Sequence, residues 1–157
     1  IPFYDVDGEV FAIQGRAFGK ETPKYLTLKF DENKQKIYGL ERVNLQNRLY
    51  IVEGPIDSLF IDNCLAAAGA DLQLPVEKKD VVFIFDNEPR NKEIIDRMYR
   101  VIEKDYELVI WPEGQIEKDI NDMILQGKSK LQIQNIITEN TYSGLSALTK
   151  LNSYKRC

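Results

Sequence analysis

The sequence predicts an α/β fold with a central, mainly parallel sheet flanked by helices. Three observations predict it. Apolar runs recur at Leu49–Val52, Val81–Phe85 and Glu107–Trp111, without the alternation of a half-exposed strand. An amphipathic stretch separates the second run from the third. Acidic or turn-forming residues follow each run. Unalternated runs fit strands buried on both faces. Strands alternating with helices imply βαβ units and a parallel sheet.

The elements follow in order. Residues 1–50 read as short strands and turns. Asp7-Gly8 lies between Pro2-Phe3-Tyr4 and Val10-Phe11-Ala12-Ile13, a hairpin signal. Tyr25–Phe30 alternates like a further strand, and Asp31–Lys36 is a polar turn region. After Leu49–Val52, Glu53-Gly54-Pro55 interrupts the chain. A helix is expected over Ile56–Ala68, with Pro55 near its first turn and Gly69 at its end. A second helix is expected over Pro89–Lys104, where Ile94, Ile95, Met98, Val101 and Ile102 recur at helical spacing. Pro112 stops the third strand. Residues 119–126, 130–139 and 142–151 read as short helices. The division expected is a small mixed α+β N-terminal subdomain over 1–48, the sheet domain over 49–127 and a helical segment over 128–157.

Composition narrows the function. The chain has 157 residues, 43% of them hydrophobic, enough for a buried core. No apolar run approaches the roughly 18 residues of a membrane span. The start at Ile1, within a strand pattern and without a signal peptide, reads as a piece of a longer protein. Two cysteines, Cys64 and Cys157, suit a reducing compartment. With no histidine, Ser-His-Asp triads and histidine metal sites are excluded. Any metal must be held by carboxylates, which favours Mg²⁺ or Mn²⁺. Charge is uneven. Residues 51–127 carry 17 acidic and 8 basic side chains, while residues 128–157 carry 5 basic and 1 acidic. An acidic middle between basic flanks permits a carboxylate metal site facing a polyanion.

Acid ends each strand. Glu53 follows the first, Asp86 and Glu88 the second, and Asp119 and Asp122 lie beyond the third. Ligands of open parallel sheets bind outside the carboxyl ends of the strands. Gathered anions repel unless a cation neutralises them. Asp86 and Glu88, two apart, point the same way if the chain is extended there. The plain alternative is that these acids only cap helices and form turns. Trp111 and Tyr106 read as core rather than base-stacking residues. Lys150, Lys155 and Arg156 read as a solvated basic tail with a capacity to touch nucleic acid.

These residues resemble a family. Ile51-Val52-Glu53-Gly54-Pro55-Ile56-Asp57 is similar to the Glu-Gly motif of the Toprim domain, and Phe83-Ile84-Phe85-Asp86-Asn87-Glu88 to its Asp-x-Asp motif. Lys118-Asp119-Ile120-Asn121-Asp122 resembles the third acidic motif of primases. Upstream, Gly15-Arg16, Thr22-Pro23-Lys24-Tyr25-Leu26 and Tyr38-Gly39-Leu40 are similar in order and spacing to the polymerase domain of bacterial-type DNA primases. The resemblance covers about residues 1–127, and the compact form with Asn87-Glu88-Pro89-Arg90 is most like a bacteriophage primase.

The resemblance implies a Toprim fold and synthesis of RNA primers on single-stranded DNA from nucleoside triphosphates. A replicative helicase is the implied partner, in the bacterial or phage-infected cytoplasm. Glu53, Asp86 and Glu88 are the implied catalytic residues. The implied metal set for Mg²⁺ or Mn²⁺ is Glu53, Asp57, Asp86, Glu88, Asp119 and Asp122. Arg16 and Lys24 are implied to meet nucleotide phosphates or template. Position 88 is Glu where Toprim domains usually have Asp, and Thr27-Leu28 replaces the usual Asn-Ser. The zinc of the family's separate N-terminal module is not expected here, because two cysteines cannot build that module. The rival readings are a Toprim nuclease or topoisomerase fragment and a degenerate Toprim module that only binds DNA or a partner.

Overall fold

Strand order explains how the acidic residues meet. The computed structural model describes residues 1–20, 22–23, 25–67 and 80–157. Four parallel strands form the centre of a six-stranded sheet: β5 (Leu49–Val52), β6 (Cys64–Ala67), β7 (Val81–Ile84) and β8 (Glu107–Val109). The full order is β4-β6-β5-β7-β8-β9, with antiparallel β4 (Ile37–Tyr38) and β9 (Thr141–Tyr142) at the edges. In register, Val52 pairs with Ala66 on one side and Ile84 on the other. The carboxyl ends of β5 and β7 therefore lie side by side.

Alternate side chains of these strands enter two cores, as the strand period of two requires. Leu49, Ile51, Val81 and Phe83 pack with α1 (Lys92–Glu103) and α4 (Gly144–Tyr154). Val52, Val82, Ile84 and Val109 pack with α2 (Ile120–Leu125) and α3 (Lys130–Glu139). Burial on both faces is why these strands read as unbroken apolar runs. The N-terminal residues form a separate antiparallel sheet of β1 (Pro2–Tyr4), β2 (Val10–Arg16) and β3 (Tyr25–Lys29). The expected hairpin is present, with Gly8 at φ 81° in its turn.

One expected element is absent. Residues 56–67 are not a helix. A 3-10 turn, Asp57–Leu59, leads to β6, a strand buried throughout. Asn63 stops helical propagation at φ 51°. The apolar run behind it gains more by lying in the sheet, where Leu65 is wholly buried. The end of the expected helix, at Ala68 and Gly69, lies outside the described residues.

Smaller differences have local causes. α1 begins at Lys92 rather than Pro89, because the Asn91 side chain caps it by accepting from the Glu93 N–H at 3.1 Å. β8 ends at Val109 rather than Trp111. The next N–H, of Ile110, donates to the Asn140 carbonyl at 3.0 Å, and the Trp111 indole donates to the Phe85 carbonyl at 2.8 Å. The short helices lie where expected, although β9 precedes the last of them. No helix among the described residues is long and apolar enough to cross a membrane.

Candidate active site

The ends of β5 and β7, the 3-10 turn and the start of α2 open onto one cavity of about 430 Å³. Its far wall comes from the N-terminal sheet. Glu53, Asp57, Asp86 and Asp119 line it, together with Arg16, Lys36, Lys118 and Asn121. Arg16 sits 5.6 Å from the centre of the Tyr25 ring, which also lines the cavity. Of the residues singled out in the sequence, these four acids and Arg16 are brought together. Glu88 lies outside this lining, in a shallow cleft with Arg90, Asn91 and Arg156. Asp122 lies in the first turn of α2, outside the cavity. Lys24 lies outside the described residues.

Each acid has a local anchor. Glu53 accepts the Asp86 backbone N–H at 3.0 Å on Oε2 and pairs with Arg97 through Oε1. Asp57 accepts the Asn121 N–H at 2.8 Å, joining the turn after β5 to the start of α2. Asp119 caps α2 by accepting the Asp122 N–H at 2.7 Å. Gly54 permits the close approach of Asp57: a Cβ there would stand 2.5 Å from Asp57 Oδ2, and that side chain would have to shift.

Asp86 and Glu88 do not adopt the extended geometry considered from the sequence. The Glu88 N–H donates to the Asp86 carbonyl at 2.8 Å, so the chain turns tightly between them. They still share one cation. Lys118 Nζ is 2.8 Å from Glu88 Oε1 and 3.6 Å from Asp86 Oδ2. Asn87 locks this turn. Its side chain donates to the carbonyls of Gln115 and Glu117, and it accepts from the Tyr154 hydroxyl at 3.0 Å.

Electrostatics records the crowding. Burial, reinforced by the Glu53 charge, pushes the Asp86 carboxyl up to about 7, against the pull of Lys118. Burial pushes Asp57 up to about 6; its Asn121 hydrogen bond and the charge of Arg16 oppose this. Glu88 is held below its usual range by hydrogen bonds from Lys118 and Asn91.

The donor chemistry fits a hard divalent ion, since every candidate ligand is a carboxylate. Among the described residues no three acidic side chains converge as a ready chelate. Asp86 and Glu88 are close enough to share one cation, so an ion held there would need further ligands from outside the pair. Glu88 also accepts from the Asn91 side chain at 2.7 Å, beside its contact with Lys118. Glu53 and Asp57 are already committed to protein donors.

Sequence reasoning missed Arg97, Lys118 and Asn87 as parts of this site. Arg97 borders the apolar face of the helix that follows the second acidic strand end, and that position was its only signal.

The fold is that of bacterial primase catalytic cores. The E. coli primase catalytic core is 24% identical, with a TM-score of 0.68 over 97% of this chain and 54% of that one. A primase catalytic domain bound to single-stranded DNA is 22% identical, at 0.69 over 97% and 53%. The Aquifex aeolicus primase, comprising zinc-binding and RNA polymerase domains, is 22% identical, at 0.66 over 90% and 40%. In sequence, the chain is 38% identical to the DNA primase of Enterobacteria phage T4 across 161 aligned residues. That match takes in 99% of this chain and 47% of the phage protein, so the chain spans about half the length of this relative. No family model matches. The resemblance read from the sequence, to the catalytic region of a bacterial-type primase and most of all a phage one, is borne out.

Proposed function

We propose that the chain is the catalytic core of a DNA primase. It makes short RNA primers on a single-stranded DNA template from nucleoside triphosphates, by metal-dependent nucleotidyl transfer in the cytoplasm, beside a replicative helicase. One observation carries the reading. A primase-core fold places Asp57, Asp86 and Asp119 around a single cavity whose opposite wall presents Arg16. Primases as a family use divalent ions; for this chain we propose Mg²⁺ or Mn²⁺. Residues 49–127 are the proposed Toprim unit, with 1–48 the N-terminal subdomain and 128–157 the helical segment; β4 and β9, from these two flanks, complete the edges of its sheet.

Asp86 and Glu88 would hold the ion. When bound, it would lower the pKa of an attacking 3′-hydroxyl and offset charge on the triphosphate and departing pyrophosphate. The chain's own residues do the rest. Arg16 faces phosphate with a planar, permanently charged group. Glu53, fixed by Arg97, receives the Asp86 N–H and so orients the loop that carries Asp86. Asp57 ties the start of α2 to the turn after β5, and Asp119 caps that helix. Asp122, in the first turn of α2 outside the cavity lining, is kept as a proposed metal ligand, and Lys24 as a proposed contact to nucleotide phosphates or template.

A second reading, a Toprim module that binds without catalysing, draws on the fact that no three acids converge as a chelate among the described residues. Primer synthesis by the whole protein on single-stranded DNA separates the two. The primase reading expects Asp86→Asn and Glu53→Gln each to cut synthesis by about 100-fold or more with folding retained. Normal priming by both variants would overturn the site assignment. No synthesis by the unmodified protein, with DNA binding indifferent to either change, would favour the binding module.

A further inference from the structure

We propose that Lys118 is a displaceable resident counter-ion. Its ammonium occupies the place between Asp86 and Glu88 that a divalent cation takes, and it is given up when that cation binds. This rests on the metal site of the primase reading and adds a residue to it.

The geometry separates Lys118 from the other cation of the site. Arg97 is committed: its side chain is 17% exposed, it pairs with Glu53, and its guanidinium lies 5.3 Å from the centre of the Phe85 ring. A planar guanidinium held by a carboxylate and a ring is not readily moved. Lys118 differs on each count. Its side chain is 52% exposed, and its only ion-pair partners among the described residues are Asp86 and Glu88. Half-exposed ion pairs are weak, and a four-carbon stem swings at little cost.

Only the side chain needs to move. The Lys118 carbonyl accepts the Asn87 N–H at 2.6 Å, which pins its backbone to the turn carrying both acids. The ammonium is therefore always within reach, while its orientation stays free.

Charge supplies the reason for the exchange. Asp86 is partly buried beside Glu53, Asp57 and Asp119, and all three repel its charged form. Without metal, one ammonium relieves this and keeps the turn closed. A divalent ion relieves it twice over, and two cations cannot share the gap without repelling each other. Binding thus costs the Lys118 pair, and the lysine sets how tightly the ion is held.

The test is Mn²⁺ binding by the full chain, followed by electron paramagnetic resonance. The variants are Lys118→Met, Lys118→Arg and, as a control for one lost cation elsewhere, Lys92→Met. Lys118→Met is expected to bind Mn²⁺ about tenfold more tightly than the unmodified chain, the effect of removing one competing charge at close range. Lys118→Arg should bind no more tightly than the unmodified chain, and Lys92→Met should match it. Thermal melts give a second readout: Lys118→Met should melt lower in EDTA and gain more from Mn²⁺ than the unmodified chain does. Equal or weaker Mn²⁺ binding by Lys118→Met overturns the proposal and leaves the metal site standing. An equal gain in Lys92→Met overturns it too, by reducing it to net charge. Absence of Mn²⁺ binding in every variant overturns both this proposal and the metal site beneath it.

Discussion

The Arg97 guanidinium pairs with the Glu53 carboxylate while lying over the ring of Phe85. It crosses from α1 to the end of β5 and ties the helix to the loop that holds the acids. Both partners are mostly shielded, at 17% and 21% side-chain exposure. Breaking a shielded pair by removing one partner leaves an uncompensated charge. Arg97→Met should therefore destabilise the chain by about 1–3 kcal/mol, with Glu53→Gln in the same background adding little further loss. Urea denaturation of the two single variants and the double variant measures this. Additive losses would mean that the pair does not act as a unit.

Gly54 permits the tight approach of Asp57. A methyl group there would meet Asp57 Oδ2 at 2.5 Å, and the other carboxylate oxygen is already held by the Asn121 N–H. Gly54→Ala should push Asp57 off Asn121 and loosen the start of α2. Displacement of a site by about an ångström can cost on the order of 100-fold in rate. On the primase reading, primer synthesis should fall by roughly 10- to 100-fold while the melting temperature changes modestly. Unchanged synthesis would remove Asp57 from the working site.

The raised carboxyls give the metal-free protein a pH signature. Asp86 titrates near 7 and Asp57 near 6 in the folded chain, against 3.8 for an ordinary aspartate. The folded state holds these protons more tightly than the unfolded state does. Their stabilising contribution is complete below about pH 4 and is lost as pH rises through 6 and 7. In EDTA, unfolding free energy should fall from pH 5 to pH 8, and Asp86→Asn should remove much of that fall. Glu88 is shifted the opposite way, so its contribution is lost only at lower pH, outside this window. Denaturation series at pH steps decide it: identical slopes for Asp86→Asn and the unmodified chain would refute the coupling.

What was legible in the sequence follows physical lines. The helix over 92–103 could be read because Ile94, Ile95, Met98, Val101 and Ile102 keep one face buried, a local periodic property. The gathering of Glu53, Asp57, Asp86 and Asp119 could be read because the carboxyl ends of neighbouring parallel strands open onto one place. Their cations could not. Whether Arg97 or Lys118 reaches a carboxylate depends on helix placement and loop closure, which no local pattern encodes. The segment after β5 misled for another reason. Cys64-Leu65-Ala66-Ala67 suits a helix by composition, and the strand pairing that overrides this comes from β5 and β4.

Asn63 is the residue on which that override turns. Its left-handed backbone, at φ 51°, redirects the chain into β6. Its side chain donates to the carbonyls of Arg48 at 2.8 Å and Asn44 at 3.0 Å, and accepts the Asn44 N–H at 2.7 Å. Its own carbonyl accepts the Tyr50 N–H at 3.1 Å, which starts the β5–β6 pairing. Asn63→Ala loses the side-chain bonds and places a Cβ in a conformation that asparagine tolerates better than alanine. It should cost about 2–3 kcal/mol. Asn63→Gly loses the same bonds but accepts the backbone, so its cost should be smaller, about 1–2 kcal/mol. Guanidinium denaturation of the two variants tests the account. Equal losses would remove backbone conformation from it, and no loss in either would mean that β6 is held by its burial alone.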